Sequence, residues 1–186
     1  MHLPVLTEGL DAQMEAAAMA ARNDGDSIGG IIECMVSGLP AGLGAPFFGS
    51  VESQISHLMF SVPGIKGVEF GDGFGFASLR GSEANDAFRM DGEQVVTTTN
   101  HSGGVNGGIT NAMPVIFRCA VRPTPTLSQS QNTVDMQTGE NAELASKGRH
   151  DPCIVHRARI VADCVTALTL CDMLSGRFGA DWLVEA

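Results

Sequence analysis

The sequence predicts an α+β fold in which helices pack on antiparallel sheet. Two features carry that reading: strands and helices are mixed along the chain, and the strands are joined by short or glycine-rich turns. A third makes it possible, since 44% of the 186 residues are hydrophobic, enough for a sizeable core in one domain or two small ones.

The elements follow in order. Residues 8–22, EGLDAQMEAAAMAAR, are rich in alanine and methionine and read as a helix that NDGD breaks. Residues 27–38 read as a strand, with Gly29 and Gly30 leaving room for another backbone to come close. LPAGLGAP is a loop, and 49–61 is a second helix with Ile55, Leu58 and Met59 on one face. IKGVEF is a short strand closed by GDG. Residues 74–110 give no clear period. Residues 113–122 form a strand whose Val115, Phe117, Cys119 and Val121 share one face by period two. PTPTLSQSQ is irregular, and NTVDM reads as a further strand. The last helix is expected to start at Asp151 as N-cap, with Pro152 in the first turn, and to end near Ser175. Its predicted buried stripe is Ile154, Ala158, Val161, Val165 and Leu168.

Charge narrows the function classes. The formal net charge is -10, which argues against a general nucleic-acid or anionic-membrane binder. No apolar run approaches the ~20 residues that span a bilayer, and no signal peptide is visible. The five cysteines, at 34, 119, 153, 164 and 171, fit no zinc spacing and are expected to be reduced thiols of a cytoplasmic protein. Cys164 and Cys171, seven apart, read as core packing.

Positive charge is concentrated in one region. Six of the 11 basic residues lie between 118 and 159, against four acids there, so the window is basic within an acidic chain. Arg122 leads into a Thr-Pro-Thr loop with two hydroxyl donors, and Arg149 precedes a helix start, where free N–H groups favour anions. The glycine pairs of NHSGGVNGGITN let backbone approach a flat or phosphorylated ligand. Each feature also has an ordinary reading: arginines solvate surfaces, Gly-Gly makes turns, and Asp151 caps a helix. Both readings stand on the residues alone.

GDSIGGIIE, SGLPAGLG, IKGVEFGDGF, GSEANDAF, NHSGGVNGGITNAMP, VRPTPT and GRHDPC occur in the order found in chorismate synthases, and the chain resembles that family from about residue 8 to the last helix. The resemblance implies a partial chorismate synthase-like sandwich, with 1–186 as the C-terminal portion of the domain. It implies a carbon–oxygen lyase that eliminates phosphate from 5-enolpyruvylshikimate 3-phosphate, with reduced FMN as cofactor and NADPH as a candidate reductant of the flavin. It also implies a homotetramer. The VRPTPT motif puts Arg122, Pro123, Thr124, Pro125 and Thr126 on the flavin's phosphate-bearing tail, with Arg122 where the family has lysine. Pro63, Gly64 and Gly107 match further flavin contacts. Arg149 matches an arginine at the flavin and substrate anions, and Asp151 an aspartate that assists proton transfer near flavin N5. The family's two catalytic histidines and its Ser-Ala-Arg motif have no match in 1–186. The alternative expectation is therefore a non-catalytic remnant that binds flavin or only assembles, with apolar surface left uncovered.

Overall fold

A computed structural model describes residues 5–148 and 150–179. The chain divides into two compact units. One comprises Met1–Gly30 and Val121–Ala158, the other Ile31–Ala120 and Arg159–Ala186.

The second unit is built on a three-stranded sheet of β1 (Gly30–Val36), β7 (Val115–Val121) and β2 (Ile65–Phe70), with β7 in the centre. Period two places Val115, Phe117 and Cys119 on one face of β7, each with zero exposure, as expected from the alternation. The Phe117 ring meets that of Phe70 at 5.5 Å between centroids. Helix α2 (Val51–Ser61) packs beside β2 and buries Val51, Ile55 and Met59 completely. Its start is set locally: the Ser53 N–H donates to Ser50 Oγ at 3.1 Å, a serine N-cap.

The stretch that resisted assignment forms small elements. A 3₁₀ segment spans Gly73–Ser78, and α3 (Gly81–Ala84) is a single turn. Strands β3 (Phe88–Asp91) and β4 (Gln94–Thr97) make an antiparallel hairpin. Strands β5 (Val105–Asn106) and β6 (Ile109–Thr110) make another, closed by Gly107 and Gly108. Both glycines have positive φ, +58° and +84°, as a tight two-residue hairpin turn requires.

The first unit holds α1 (Leu10–Asn23), an antiparallel hairpin of β8 (Gln131–Val134) and β9 (Asn141–Leu144), and the irregular segments that join them. Gly29 fulfils its expected role, since a Cβ there would strike the Val121 carbonyl. The fold is thus mixed helix and antiparallel hairpin, as the sequence predicts.

Helix α4 (Val155–Phe178) departs from expectation in three ways. It begins four residues after Asp151, because the Pro152 carbonyl accepts the Ile28 N–H at 2.8 Å instead of a helical one. Its buried side is Val155, Ala158, Ala162, Thr166, Thr169 and Leu170; of the predicted stripe Ala158 is buried, Ile154 and Val165 are half-buried, and Val161 and Leu168 are exposed. Cys164 and Cys171 are exposed as well, not core residues. The two buried threonines are tolerated because each hydroxyl donates to the carbonyl four residues back, Thr166 to Ala162 and Thr169 to Val165. No described helix is long and apolar enough to cross a membrane.

Candidate functional site

In the first unit, the turn after α1 organises the site. The β7 strand ends at Val121, and Pro123 and Pro125 have no N–H with which to continue a ladder. The loop they create is fastened to residues 24–27 instead. Ser27 Oγ donates to the Thr124 carbonyl at 2.6 Å, the Ser128 N–H to the Gly25 carbonyl at 3.1 Å, and the Gln129 side-chain amide to the Asp24 carbonyl at 2.7 Å. The 150–152 segment is tied to the same turn by the Ile28–Pro152 hydrogen bond. The turn therefore brings the Thr-Pro-Thr loop and the His-Asp-Pro segment together. Between them lies a cleft of about 440 Å³ lined by Arg22, Asp26, Thr126, Ser128, Gly148 and His150, among others.

The donors around this turn are under-used. Arg122 is exposed; its Nε reaches only the Pro123 carbonyl, at 3.4 Å, and no carboxylate pairs with it among the described residues. The hydroxyl of Thr124 and Nε2 of His150 are buried without a partner. Buried polar atoms are normally satisfied, so such atoms call for a ligand or water. A phosphate-bearing flavin tail brings only acceptors at that end and suits a guanidinium and a hydroxyl two residues apart on one loop; of that loop, Thr126 lines the cleft, and Arg122 and Thr124 do not. Asp26 is the one carboxylate of the cleft lining and opposes an anion; Arg22 on the same lining offsets it. Asp151 is held by Arg157, Oδ2 to Nη1 at 2.6 Å, which fixes its carboxylate as an oriented hydrogen-bond acceptor. Arg149 lies outside the described residues.

Pro63, Gly64 and Gly107 belong to the second unit. Pro63 and Gly64 form the turn between α2 and β2, with Gly64 at φ +97°. Gly107 projects from its hairpin with nothing within 4 Å of where a Cβ would stand, whereas Gly108 is packed against Ser50. Strands β3, β4, β5 and β6 and the 38–41 loop enclose a groove of about 760 Å³ that includes Phe88, Val95, Asn106 and Ile109. A polar anchor lies behind the NHSGG loop. Asp86, 6% exposed, accepts the Thr99 hydroxyl (2.7 Å) and the His101 and Ser102 N–H groups (2.7 and 2.8 Å). Burial pushes its carboxyl up, but these hydrogen bonds outweigh burial and hold it below the usual carboxylate range. His101 Nδ1 meets Asp72 Oδ2 at 2.6 Å.

Sequence reasoning missed the roles of Arg22, read as the end of the first helix, of Asp26, read as part of its breaker, and of Ser27, read as the start of a strand. It also missed Asp86 and the Asp72–His101 pair. The acidic and hydroxyl content of NDGDS was the available signal, but its role depends on partners about 100 residues away.

Comparison with known proteins then places these features in a family. The family model described as chorismate synthase matches residues 1–175. A chorismate synthase from Opitutus terrae is 51% identical over 84% of this chain and 44% of its own. One from Chitinophaga pinensis is 49% identical over 92% of this chain and 49% of its own. A crystal structure of a chorismate synthase superposes with a TM-score of 0.74 at 29% identity, over 92% of this chain and 44% of that one. The chain spans about half the length of the curated relatives it matches.

Proposed function

The chain belongs to the chorismate synthase family, and we propose that it supplies the flavin-holding part of an enzyme that converts 5-enolpyruvylshikimate 3-phosphate to chorismate and phosphate by 1,4-elimination. On this reading residues 1–186 are the C-terminal portion of a chorismate synthase domain. Reduced FMN, when bound, would supply the electron density that the departure of phosphate requires. Arg122 and the hydroxyls of Thr124 and Thr126 hold its phosphate tail, and Pro123 and Pro125 stiffen the loop that presents them. Gly107 and Gly64 offer bare backbone for close approach, and Pro63 contributes its carbonyl or ring. Arg149 is assigned to the anionic groups of flavin and substrate by its place in the GRHDPC motif alone. Asp151, steadied by Arg157, accepts an N–H at the flavin and helps move its proton.

The observation that carries the proposal is one loop that holds Arg122, which no carboxylate pairs with among the described residues, and two residues on the buried, unpartnered Thr124 hydroxyl. Its test is the affinity for reduced FMN, read anaerobically by fluorescence. Arg122→Ala is expected to weaken binding more than tenfold, or ~1.4 kcal/mol, while unchanged affinity removes Arg122 from the site.

A second reading is favoured by the coverage of the relatives, 44% and 49% of their lengths. The chain then binds flavin, or only assembles, without turning over by itself. General acid catalysis contributes ~10²–10⁴-fold, so a chain without the family's two histidines is expected to give no measurable chorismate. Chorismate formed by the purified chain with reduced FMN and substrate would refute this second reading. Assembly as a homotetramer, location in the cytoplasm and reduction of the flavin by NADPH belong to the same family-based proposal.

A further inference from the structure

The groove of about 760 Å³ walled by β3, β4, β5, β6 and the 38–41 loop lies wholly within the second unit. Its walls are held by their own hydrogen bonds. Thr110 Oγ1 donates to the Pro40 carbonyl at 2.7 Å and accepts the Leu43 N–H at 2.9 Å. The Gly42 N–H donates to the Thr110 carbonyl at 2.8 Å, so the loop is stapled to β6. The β3–β4 hairpin is tied at its base by the Thr98 N–H on the Ala87 carbonyl, also 2.8 Å. A preformed groove of this size with apolar walls and a few polar groups is of the kind that takes a small molecule.

The lining selects the chemistry of the occupant. No residue lining it is charged, so it offers no counter-charge to a phosphate or carboxylate. Phe88, Val95 and Ile109 are 60%, 55% and 36% exposed and leave a ring and two branched side chains open to a flat ligand. The polar groups have capacity to spare. Asn111 donates to Asn106 Oδ1 at 2.5 Å and accepts the Met113 N–H at 3.0 Å. The Asn106 amide nitrogen and the whole Gln94 amide have no protein partner among the described residues. A primary amide sets a donor and an acceptor side by side. Its complement is an imide edge, in which one N–H stands between two carbonyls. We propose that this groove binds a planar, uncharged ring with an imide edge. The ring stacks on Phe88, Gln94 pairs with the N–H and one carbonyl, and Asn106 donates to the other carbonyl. The dione end of a flavin ring and a uracil base share this chemistry. None of these three side chains is assigned to a phosphate above, so the inference does not rest on Arg122.

The test uses probes without phosphate on the full chain: lumiflavin, read by fluorescence quenching, and uridine, read by isothermal titration calorimetry. At least one should bind. Methylation of its N3 should weaken binding about tenfold, since the central donor is lost and an amide is left facing a methyl group. Gln94→Ala should weaken the unmethylated probe about fivefold and remove its advantage over the N3-methyl form. Phe88→Leu should weaken both forms about threefold with the circular dichroism unchanged; should the spectrum change, the other two arms decide. Preference for lumiflavin identifies a flavin ring as the occupant and preference for uridine a pyrimidine base, and either supports the proposal. It is overturned if neither probe binds, if the N3-methyl form binds as tightly as its parent, or if binding is indifferent to Gln94→Ala or to a folded Phe88→Leu. A lone chain that dimerises, and that Phe88→Leu returns to monomer, makes a second copy the occupant and overturns it as well.

Discussion

Helices α2 and α4 both carry apolar residues, and each covers only part of them: on α2 Phe60 is 54% exposed, on α4 Leu168 is 67% exposed. On α2, Val51, Ile55 and Met59 have zero exposure, and the turns between them expose Ser53 and His57. On α4, Val161 and Leu168 face outward, while two alanines, two self-bonded threonines, Val155 and Leu170 face inward. Hydrophobicity alone does not decide which side of a helix is buried. The residue sizes on α4 suit close approach on its inner side and leave its bulkier residues for something else to cover.

The largest effect is expected on the covered side of α2. Ile55→Ala removes a side chain with no exposure and no room to relax outward. It should cost ~2–5 kcal/mol, the range for such deletions in cores, read from the urea midpoint. A loss below ~1 kcal/mol would show that α2 is seated no better than the outer side of α4 and would erase the contrast.

A smaller effect separates the two helices by pH. The Val51 N–H that starts α2 donates to the Gly108 carbonyl at 3.0 Å, and the loop leading to Gly108 is pinned by Asp86. The Asp86 carboxyl is held below its ordinary range, so its contribution is fully present above the unfolded carboxylate pKa of ~3.9 and is lost as pH falls through the folded value. Asp86→Asn should therefore flatten the fall in stability below pH ~4 relative to the parent. Asp72 and His101 stand in both proteins and cancel from the comparison. Asp86→Ala at neutral pH should cost ~1–3 kcal/mol, because three donors lose their acceptor. Parallel acid profiles for the parent and Asp86→Asn would take Asp86 out of the seat of α2.

The same contrast marks what could be read from the sequence. Strand β7 was legible because Val115, Phe117, Cys119 and Val121 alternate with Ile116, Arg118, Ala120 and Arg122, and the two arginines mark that second face as the outer one. Helix α2 was legible because Ile55, Leu58 and Met59 fall on one face at helical spacing, although its serine cap was not read from the sequence. Helix α4 was legible as a helix but not in its orientation, since period 3.6 fits two stripes and does not choose between them. Its start was misplaced because the Pro152 carbonyl is taken by Ile28, a contact between distant residues that no local pattern reveals. In the site, Arg122, Thr124, Thr126 and Asp151 could be named from loop chemistry and motif. Their common support, residues 24–28, could not, because its function lies in hydrogen bonds that span about 100 residues.

The smallest effect is the most informative about α4. Leu168→Ala deletes an isobutyl group that is 67% exposed, so little apolar area returns to water on unfolding. Alanine also has the higher helix propensity, by a small margin. The lone chain should therefore change by less than ~0.5 kcal/mol, with the urea m-value unchanged. The chemistry of the deletion resembles that of Ile55→Ala, so any difference between the two reports coverage and not residue type. A loss of ~2 kcal/mol or more would mean that Leu168 is already packed in solution, and the outer side of α4 would no longer be open to a partner.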